Sequence, residues 1–417
     1  MKFLFDLDGT ITKIETLPLI ARHFGVSCEI DQLTRETIEG NVPFIESFIR
    51  RVAILGELPV NEINELMVTL ELFEGIVDFI NTYPGDCVIV TGNLRGWISK
   101  LCLRLNCELY ASDALIEGNC VKELTTILRK EEIVKKLQNQ GESVVFIGDG
   151  NNDAEAMRHA DISVASGLVH WPARAVLDVA DYAVFDERAL LRLLGQLRRS
   201  SPPPDTVSLV LSCAGRGSRL GLSTTKALIK FREKALIQWH LERTSEIEDV
   251  RVVVGFQARD VIESAQIVRK DVIYVFNHDY FSTGAGFSLF LGSKYANEFT
   301  IAWDGDLIVH HGDIERCLAF QGEFLGVSPR VTNDAVRAIL DIDEALVTSF
   351  SRQGDYPFEW SGPSKFRTIN IRDVSGHVFE GLNERLPLPA LIVRAFDIDT
   401  PEDYEFAKRN ARSYLDG

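Results

Sequence analysis

Ser200-Ser201-Pro202-Pro203-Pro204-Asp205 divides this chain of 417 residues near its middle. Three consecutive prolines continue neither a helix nor the interior of a sheet, because each lacks an amide hydrogen and fixes φ. They favour an extended polyproline segment, a semi-rigid spacer of roughly 3 Å per residue. On its amino-terminal side, Arg188-Ala-Leu-Leu-Arg-Leu-Leu-Gly-Gln-Leu-Arg-Arg199 reads as a closing helix. On its carboxyl side, Val207-Ser-Leu-Val-Leu211 reads as a buried strand that opens a second fold. The expected domains are therefore 1–199 and 206–417, joined by a linker over 200–205.

Composition agrees with two ordinary globular domains. A prior of roughly 150 residues per domain gives two or three. Hydrophobic residues make up 46% and charged residues 25%, as in soluble proteins generally. A net charge of −17 argues against nucleic acid or an anionic membrane surface as the main partner. It makes divalent cations natural companions of an anionic substrate. Seven cysteines without a CxxC suggest reduced thiols and a cytoplasmic setting. The start, Met1-Lys-Phe-Leu-Phe-Asp6, brings in a carboxylate too early for a secretory signal, and no apolar run reaches the ~20 residues that span a bilayer.

In the first half, three apolar strands each end in polar chemistry. Lys2-Phe-Leu-Phe-Asp6-Leu-Asp8-Gly9-Thr10 ends in two acids, Val88-Ile-Val-Thr91-Gly92-Asn93 in a hydroxyl and a glycine, and Val144-Val-Phe-Ile-Gly148-Asp149-Gly150-Asn151-Asn152-Asp153 in acids within a glycine-rich turn. Alternate residues of a strand share a face, so Asp6 and Asp8 converge where their strand opens into a loop. Paired carboxylates there suit a nucleophile beside a proton donor, bridged by a cation. Arg129-Lys130-Glu-Glu-Ile-Val-Lys-Lys-Leu137 has helical periodicity. Strands alternating with helices predict a parallel sheet, whose sites lie beyond the carboxyl ends of its strands.

These four motifs, over about residues 1–190, resemble the haloacid dehalogenase superfamily of aspartate-nucleophile phosphatases, and phosphoserine phosphatase within it. The resemblance implies that Asp6 attacks phosphorus, while Asp8 protonates the leaving oxygen and then activates water. Thr91 and Lys130 would hold phosphoryl oxygens. Asp149 would bind Mg²⁺ together with Asp6 and the backbone carbonyl of Asp8, with Asp153 and Asn152 completing the metal and loop scaffold. Residues of about 12–72 fall where that superfamily places a helical cap. Glu15 and the segment Gly40-Asn-Val-Pro-Phe44-Ile-Glu-Ser-Phe-Ile-Arg-Arg51 look like the phosphoserine phosphatase cap, whose glutamate and arginine face the amino and carboxylate groups of serine. Phe44, Gly92 and Asn93 join this substrate-binding set. Asn93 departs from the family, which usually has a second glycine there.

In the second half, Leu209-Val-Leu-Ser-Cys-Ala214-Gly215-Arg216-Gly217-Ser218-Arg219 is a strand running into a glycine-rich loop, followed by Thr225-Lys226. Glycines let backbone amides approach phosphates, and an arginine forks onto a polyphosphate. The pattern resembles the AGxGxR…K signature of nucleotidyltransferases. It implies that Arg219 holds the departing pyrophosphate and Lys226 stabilises charge on the α-phosphorus. Asp306 and Asp399 would clamp Mg²⁺, with Asp304 and Asp397 as neighbours able to take those roles. Gly255 and Gln257 sit where the family reads the base.

The stretches from Asn277 through Ser288 and from Phe358 through Trp360 to Gly362 resemble the acceptor region of phosphocholine cytidylyltransferases. Thr225 replaces a usual proline, and Ser212-Cys213 usual alanines, which suits the choline-like branch better than the sugar-nucleotide branch. The expectation is thus an α/β protein of two domains: a Rossmann-like haloacid dehalogenase fold with a helical cap, followed by a Rossmann-like nucleotidyltransferase fold. Each domain would use one Mg²⁺. The expected partners are small phosphorylated metabolites and a nucleoside triphosphate, CTP by the resemblance. Two alternatives stay open: a uridylyl- or thymidylyltransferase acting on a sugar 1-phosphate, and a second half that binds nucleotide without catalysis.

Overall fold

The computed structural model describes the chain except residues 218–219, 222–223, 332–334, 375 and 416–417. It divides into two compact units, Met1–Leu191 and Arg192–Gly417.

The first unit is built on the strands β1 (Lys2–Phe5), β2 (Cys87–Leu94), β3 (Glu108–Glu117), β4 (Cys120–Thr126), β5 (Val144–Gly148), β6 (Ile162–Ser166) and β7 (Tyr182–Val184). Their order across the sheet is β7-β6-β5-β1-β2-β3-β4. All pairings are parallel except β3 with β4. The central strands are continuous apolar runs because helices cover both faces of a parallel sheet; Phe3, Leu4, Phe5, Ile89, Val90, Phe146 and Ile147 are all fully buried. β1 lies between β2 and β5, so Asp6, Thr91 and Asp149 emerge side by side at one end of the sheet.

Four helices, α1 (Thr16–His23), α2 (Ser27–Ile38), α3 (Phe44–Leu55) and α4 (Val60–Val68), form the cap between β1 and β2. α3 buries Ser47, Phe48, Arg51, Val52 and Leu55, a single stripe at helical spacing. The antiparallel hairpin β3–β4 was not expected from sequence. It turns at Gly118 and Asn119, both at positive φ, the backbone that two-residue hairpin loops require. Asn119 then accepts the amide of Val60 at 2.8 Å, which ties the hairpin to the start of α4.

The second unit has a parallel core of β8 (Val207–Ser212), β9 (Asp249–Val254), β10 (Ile273–Phe276) and β11 (Phe299–Asp304) in the order β11-β8-β9-β10, with Ser364–Arg367 antiparallel on the outer side of β11. The strands Leu325–Pro329, Phe358–Glu359, Arg337–Asp341, Leu346–Ser351 and Leu388–Ile392 close into a small barrel. A last helix, Pro401–Leu415, starts at Thr400, whose hydroxyl accepts the amide of Asp403 at 3.2 Å while the Asp403 carboxylate accepts the amide of Thr400 at 2.8 Å. Beneath the sheet lies a buried polar cluster. Asp249 accepts from Ser208 and from Gln196 (2.8 Å), and Arg251 donates to Asp249 (3.2 Å), Gln196 (2.6 Å) and the carbonyl of Gly292 (3.1 Å). Gln196 and Arg192, which lies 3.3 Å from Asp249, belong to the helix Glu187–Arg198, so these residues ahead of the prolines complete the second unit's own interior.

Candidate active sites

At the tip of β1, Asp6 Oδ1 accepts the amide of Leu7 at 2.8 Å and lies 2.7 Å from Lys130 Nζ. That ammonium also reaches Asp153 Oδ1 at 2.5 Å. Asp153 Oδ2 accepts the amides of Asp149 (3.1 Å) and Gly150 (2.9 Å), fixing the loop after β5. Glycine is required at 148, where a Cβ would stand 2.5 Å from Asp153 Oδ2. One oxygen from each of Asp6, Asp149 and Asp153 falls within 4.8 Å of the others. Burial, then repulsion from Asp153, holds Asp6 well above the usual carboxylate range against the pull of Lys130. Burial pushes Asp149 up to about 7, opposed by a hydrogen bond from His170. Three buried carboxylates facing one ammonium lack positive charge, and hard oxygen donors fit a divalent cation such as Mg²⁺.

Asp8 is held differently. Its Oδ1 accepts the amide of Thr16, at the start of α1, at 2.7 Å, and Asn93 Nδ2 donates to its Oδ2 at 3.4 Å. Burial and then Glu15 push its carboxyl up to about 6, a value that suits a group alternating between acid and base near neutrality. Asn93, standing where a second glycine was expected, also donates to Thr16 Oγ1 and so joins β2 to the cap.

Above these groups the cap leaves a cavity of about 80 Å³, lined among others by Glu15, Thr34, Phe44, Arg51, Gly92, Asn152 and His170. Phe44 stacks on Phe48 with centroids 5.6 Å apart, and a Cβ on Gly92 would come 2.5 Å from the Phe44 ring. Arg51 is only 5% exposed, gives Nε to the carbonyl of Ser47 at 3.4 Å, and forms no ion pair among the described residues. Burial lowers its pKa from the ordinary value. A buried guanidinium without a carboxylate partner calls for an anion from outside.

The second site opens beyond β8 and β11 as a cleft of about 1020 Å³. Ala214, Gly215 and Gly217 line it; Gly217 has φ +60°, and a Cβ there would press on Lys226 Cγ at 3.0 Å. Lys226 Nζ bonds Asp306 Oδ2 at 2.6 Å and also Asp399 Oδ1. Burial lowers its pKa, but the two acids outweigh that and hold it above the ordinary lysine value. Asp304 is pushed up to about 7 by burial and then by Asp306. Asp397 is raised well above normal by burial, then by Asp306, Asp304 and Asp399. Asp306 and Asp399 thus share the Lys226 ammonium, with Asp304 and Asp397 close enough to be raised by them. Trp360 and Phe379 line the same cleft, and Phe350 packs against both, 5.5 Å from Trp360 and 6.1 Å from Phe379.

Residues 3–161 match the family model of haloacid dehalogenase-like hydrolases, and residues 209–319 match that of the MobA-like NTP transferase domain. The chain joins a hydrolase domain of the first kind to a transferase domain of the second. The hydrolase half is similar to the phosphoserine phosphatase of Wolinella succinogenes, 27% identical over 207 residues that cover 46% of this chain and 98% of that protein. It is also similar to the phosphoserine phosphatase of Methanocaldococcus jannaschii, 28% identical over 39% of this chain and 83% of that one. A solved CTP:phosphocholine cytidylyltransferase from Streptococcus pneumoniae overlaps 49% of this chain and 99% of its own, at 18% identity and a TM-score of 0.42. One polypeptide therefore carries a phosphatase domain and a nucleotidyltransferase domain.

Of the residues singled out from sequence, the hydrolase cavity collects Asp6, Asp8, Glu15, Phe44, Arg51, Thr91, Gly92, Asn93, Asp149 and Asn152, with Lys130 and Asp153 bonded to them from beneath. The transferase cleft collects Ala214, Gly215, Gly217, Lys226, Ser288, Asp306, Trp360 and Asp399. Ser218 and Arg219 lie outside the described residues. Gly255 and Gln257 stand behind the lining. Gln257 Oε1 accepts the amide of Thr225 at 2.9 Å, and Gly255 lets Tyr280 approach, where a Cβ would meet it at 2.8 Å. Sequence reasoning passed over His170, Thr34, Phe350 and Phe379. His170 follows β6 at the carboxyl end of the sheet, a position that could have flagged it.

Proposed function

We propose that the hydrolase domain cleaves a small phosphomonoester bearing a carboxylate, phosphoserine-like in size, and that the transferase domain makes a CDP-linked small alcohol and pyrophosphate from CTP and a phosphorylated or phosphonylated acceptor. The observation that carries the first half is Arg51, a buried guanidinium that forms no ion pair among the described residues and lines the same 80 Å³ cavity as Asp6 and Asp8. In this reading Asp6 attacks phosphorus and the ester P–O bond breaks. Asp8 gives its proton to the leaving oxygen, then takes one from the water that hydrolyses the aspartyl phosphate. Thr91 and Lys130 hold phosphoryl oxygens, and Asp6, Asp149 and Asp153 hold Mg²⁺. The ion supplies charge neutralisation that lets a carboxylate approach a phosphoryl group.

In the transferase domain an acceptor oxygen attacks the α-phosphorus and pyrophosphate departs. Lys226 answers the charge that develops there, Arg219 serves the leaving group, and Asp306 and Asp399 suit a second Mg²⁺. Support for CTP and a phosphocholine- or phosphonate-like acceptor comes from the loop Ala214–Gly217, the aromatic wall at Trp360 and the surplus acids Asp304 and Asp397, which suit a compact cationic head group. None of the seven cysteines is in a disulfide, in keeping with a cytoplasmic enzyme. The deciding experiment is exchange of labelled pyrophosphate into CTP, UTP, dTTP and ATP, alongside phosphate release from O-phosphoserine. Exchange into CTP is expected with acceptor present. Exchange confined to UTP or dTTP, or none with any nucleotide, refutes the transferase assignment.

A further inference from the structure

We propose that Thr34 is a second contact for the substrate carboxylate beside Arg51, and that the two together set the first site's preference for phosphorylated acids. The inference rests on the carboxylate-bearing ester proposed above. Thr34 lines the cavity at 8% exposure, and its buried hydroxyl has no hydrogen-bond partner among the described residues. A threonine inside a helix often turns its hydroxyl onto a carbonyl three or four residues back. Thr37, one turn on along α2, does so: its Oγ1 lies 2.6 Å from the carbonyl of Leu33 and 2.6 Å from Ser47 Oγ. Thr34 makes no such bond. A buried hydroxyl left unpaired is a cost that a bound ligand can remove.

The helices fix where that hydroxyl stands. Ser47, on α3, meets one turn of α2: its Oγ contacts Thr37 and also lies 3.3 Å from the carbonyl of Leu33, the residue just before Thr34. Arg51 follows one turn on along α3 and gives Nε to the carbonyl of Ser47. Thr34 and Arg51 therefore enter the cavity from adjacent helices, next to one pair of bonded hydroxyls. The end of α2 is also pinned to the catalytic loop, since Asn151 Nδ2 donates to the carbonyl of Thr37 at 2.8 Å.

What the two side chains have in common is hydrogen to give. A guanidinium only donates, and the Thr34 hydrogen has no acceptor of its own. A carboxylate accepts at both oxygens, so one oxygen can meet the guanidinium while the other takes the hydroxyl. A hydrogen or a methyl group in that place satisfies neither. Arg51 alone supplies charge, which draws any anion; the neutral donor beside it adds direction.

O-Phospho-L-serine and phosphoethanolamine differ only in the carboxylate, as do 3-phospho-D-glycerate and 2-hydroxyethyl phosphate. The test measures kcat and KM for both pairs, using the full chain with Mg²⁺. Wild type is expected to favour the acid of at least one pair. Thr34→Val is expected to raise KM for that acid about tenfold, the scale of losing a hydrogen bond to a charged group, with kcat and the decarboxylated partner little changed. Thr34→Ser, which keeps the hydroxyl, restores the wild-type KM, and Thr34→Ala carries the test if the valine variant does not fold. Equal losses on both members of the pair, or none on either, overturn the inference while leaving the proposed hydrolysis standing. A wild type that treats the two members of each pair alike, or hydrolyses neither acid, brings down the carboxylate clamp and this inference together.

Discussion

The hydrolase cavity measures about 80 Å³ and the transferase cleft about 1020 Å³, yet both are built from acids and a lysine at the tips of parallel strands. What differs is what covers the tips. In the first unit four helices inserted between β1 and β2 bring Glu15, Thr34, Phe44 and Arg51 down over the acids. In the second, Trp360 and Phe379 line a much larger space, with Phe350 packed against both. The smaller site fits a small ester, and the larger one has room for a nucleotide together with its acceptor. Size thus separates the two chemistries more clearly than the catalytic groups do.

The sharpest way to break this contrast is to remove the proposed nucleophile, Asp6. Asp6→Asn is expected to lower phosphate release by at least about a thousandfold, as loss of a nucleophile does elsewhere, with nucleotidyl transfer unchanged in the same preparation. Next in size, Asp306→Ala is expected to cost about a hundredfold in pyrophosphate exchange, the scale of losing one preorganised electrostatic group, with phosphate release unaffected. Activity lost from both sites in either variant would show that they do not work independently.

Arg51→Ala tests the smaller site's selectivity. Losing a charge-assisted contact of about 2 kcal/mol corresponds to about 30-fold in kcat/KM. That loss is expected for carboxylate-bearing esters and not for an aryl phosphate. The smallest effect concerns stability. A fragment beginning at residue 205 leaves Asp249 and Arg251 without Gln196 and Arg192, whereas one beginning at 187 keeps them. At about 1–3 kcal/mol for buried polar groups deprived of partners, and about 2–4 °C per kcal/mol in a unit of this size, the shorter fragment is expected to melt about 2–12 °C lower. Equal melting by calorimetry would show that the cluster contributes nothing.

The acids at strand tips were legible because an apolar run ending in Asp-x-Asp or Gly-Asp leaves few structural readings. Arg51 was legible through the cap segment in which it sits. His170 was not: it is a lone histidine in a loop, and its partners Glu15 and Asp149 are distant in sequence and adjacent only after β6 takes its place beside β5. Phe350 lies on one barrel strand, Trp360 just past the end of another and Phe379 in a short 3₁₀ turn, so no periodicity ties them together. Gln257 shows the converse. Its side-chain oxygen looks free in sequence but accepts from the Thr224 hydroxyl and the Thr225 amide, residues more than thirty positions earlier in the chain.

Lys226, lodged between Asp306 and Asp399, is the transferase site's resident counter-ion. Its presence means that the two acids do not face one another bare: the chain itself offsets their repulsion. A divalent cation taking these oxygens would have to displace an ammonium already bonded to them, and a polyphosphate arriving with it would give the displaced lysine a new anion to hold.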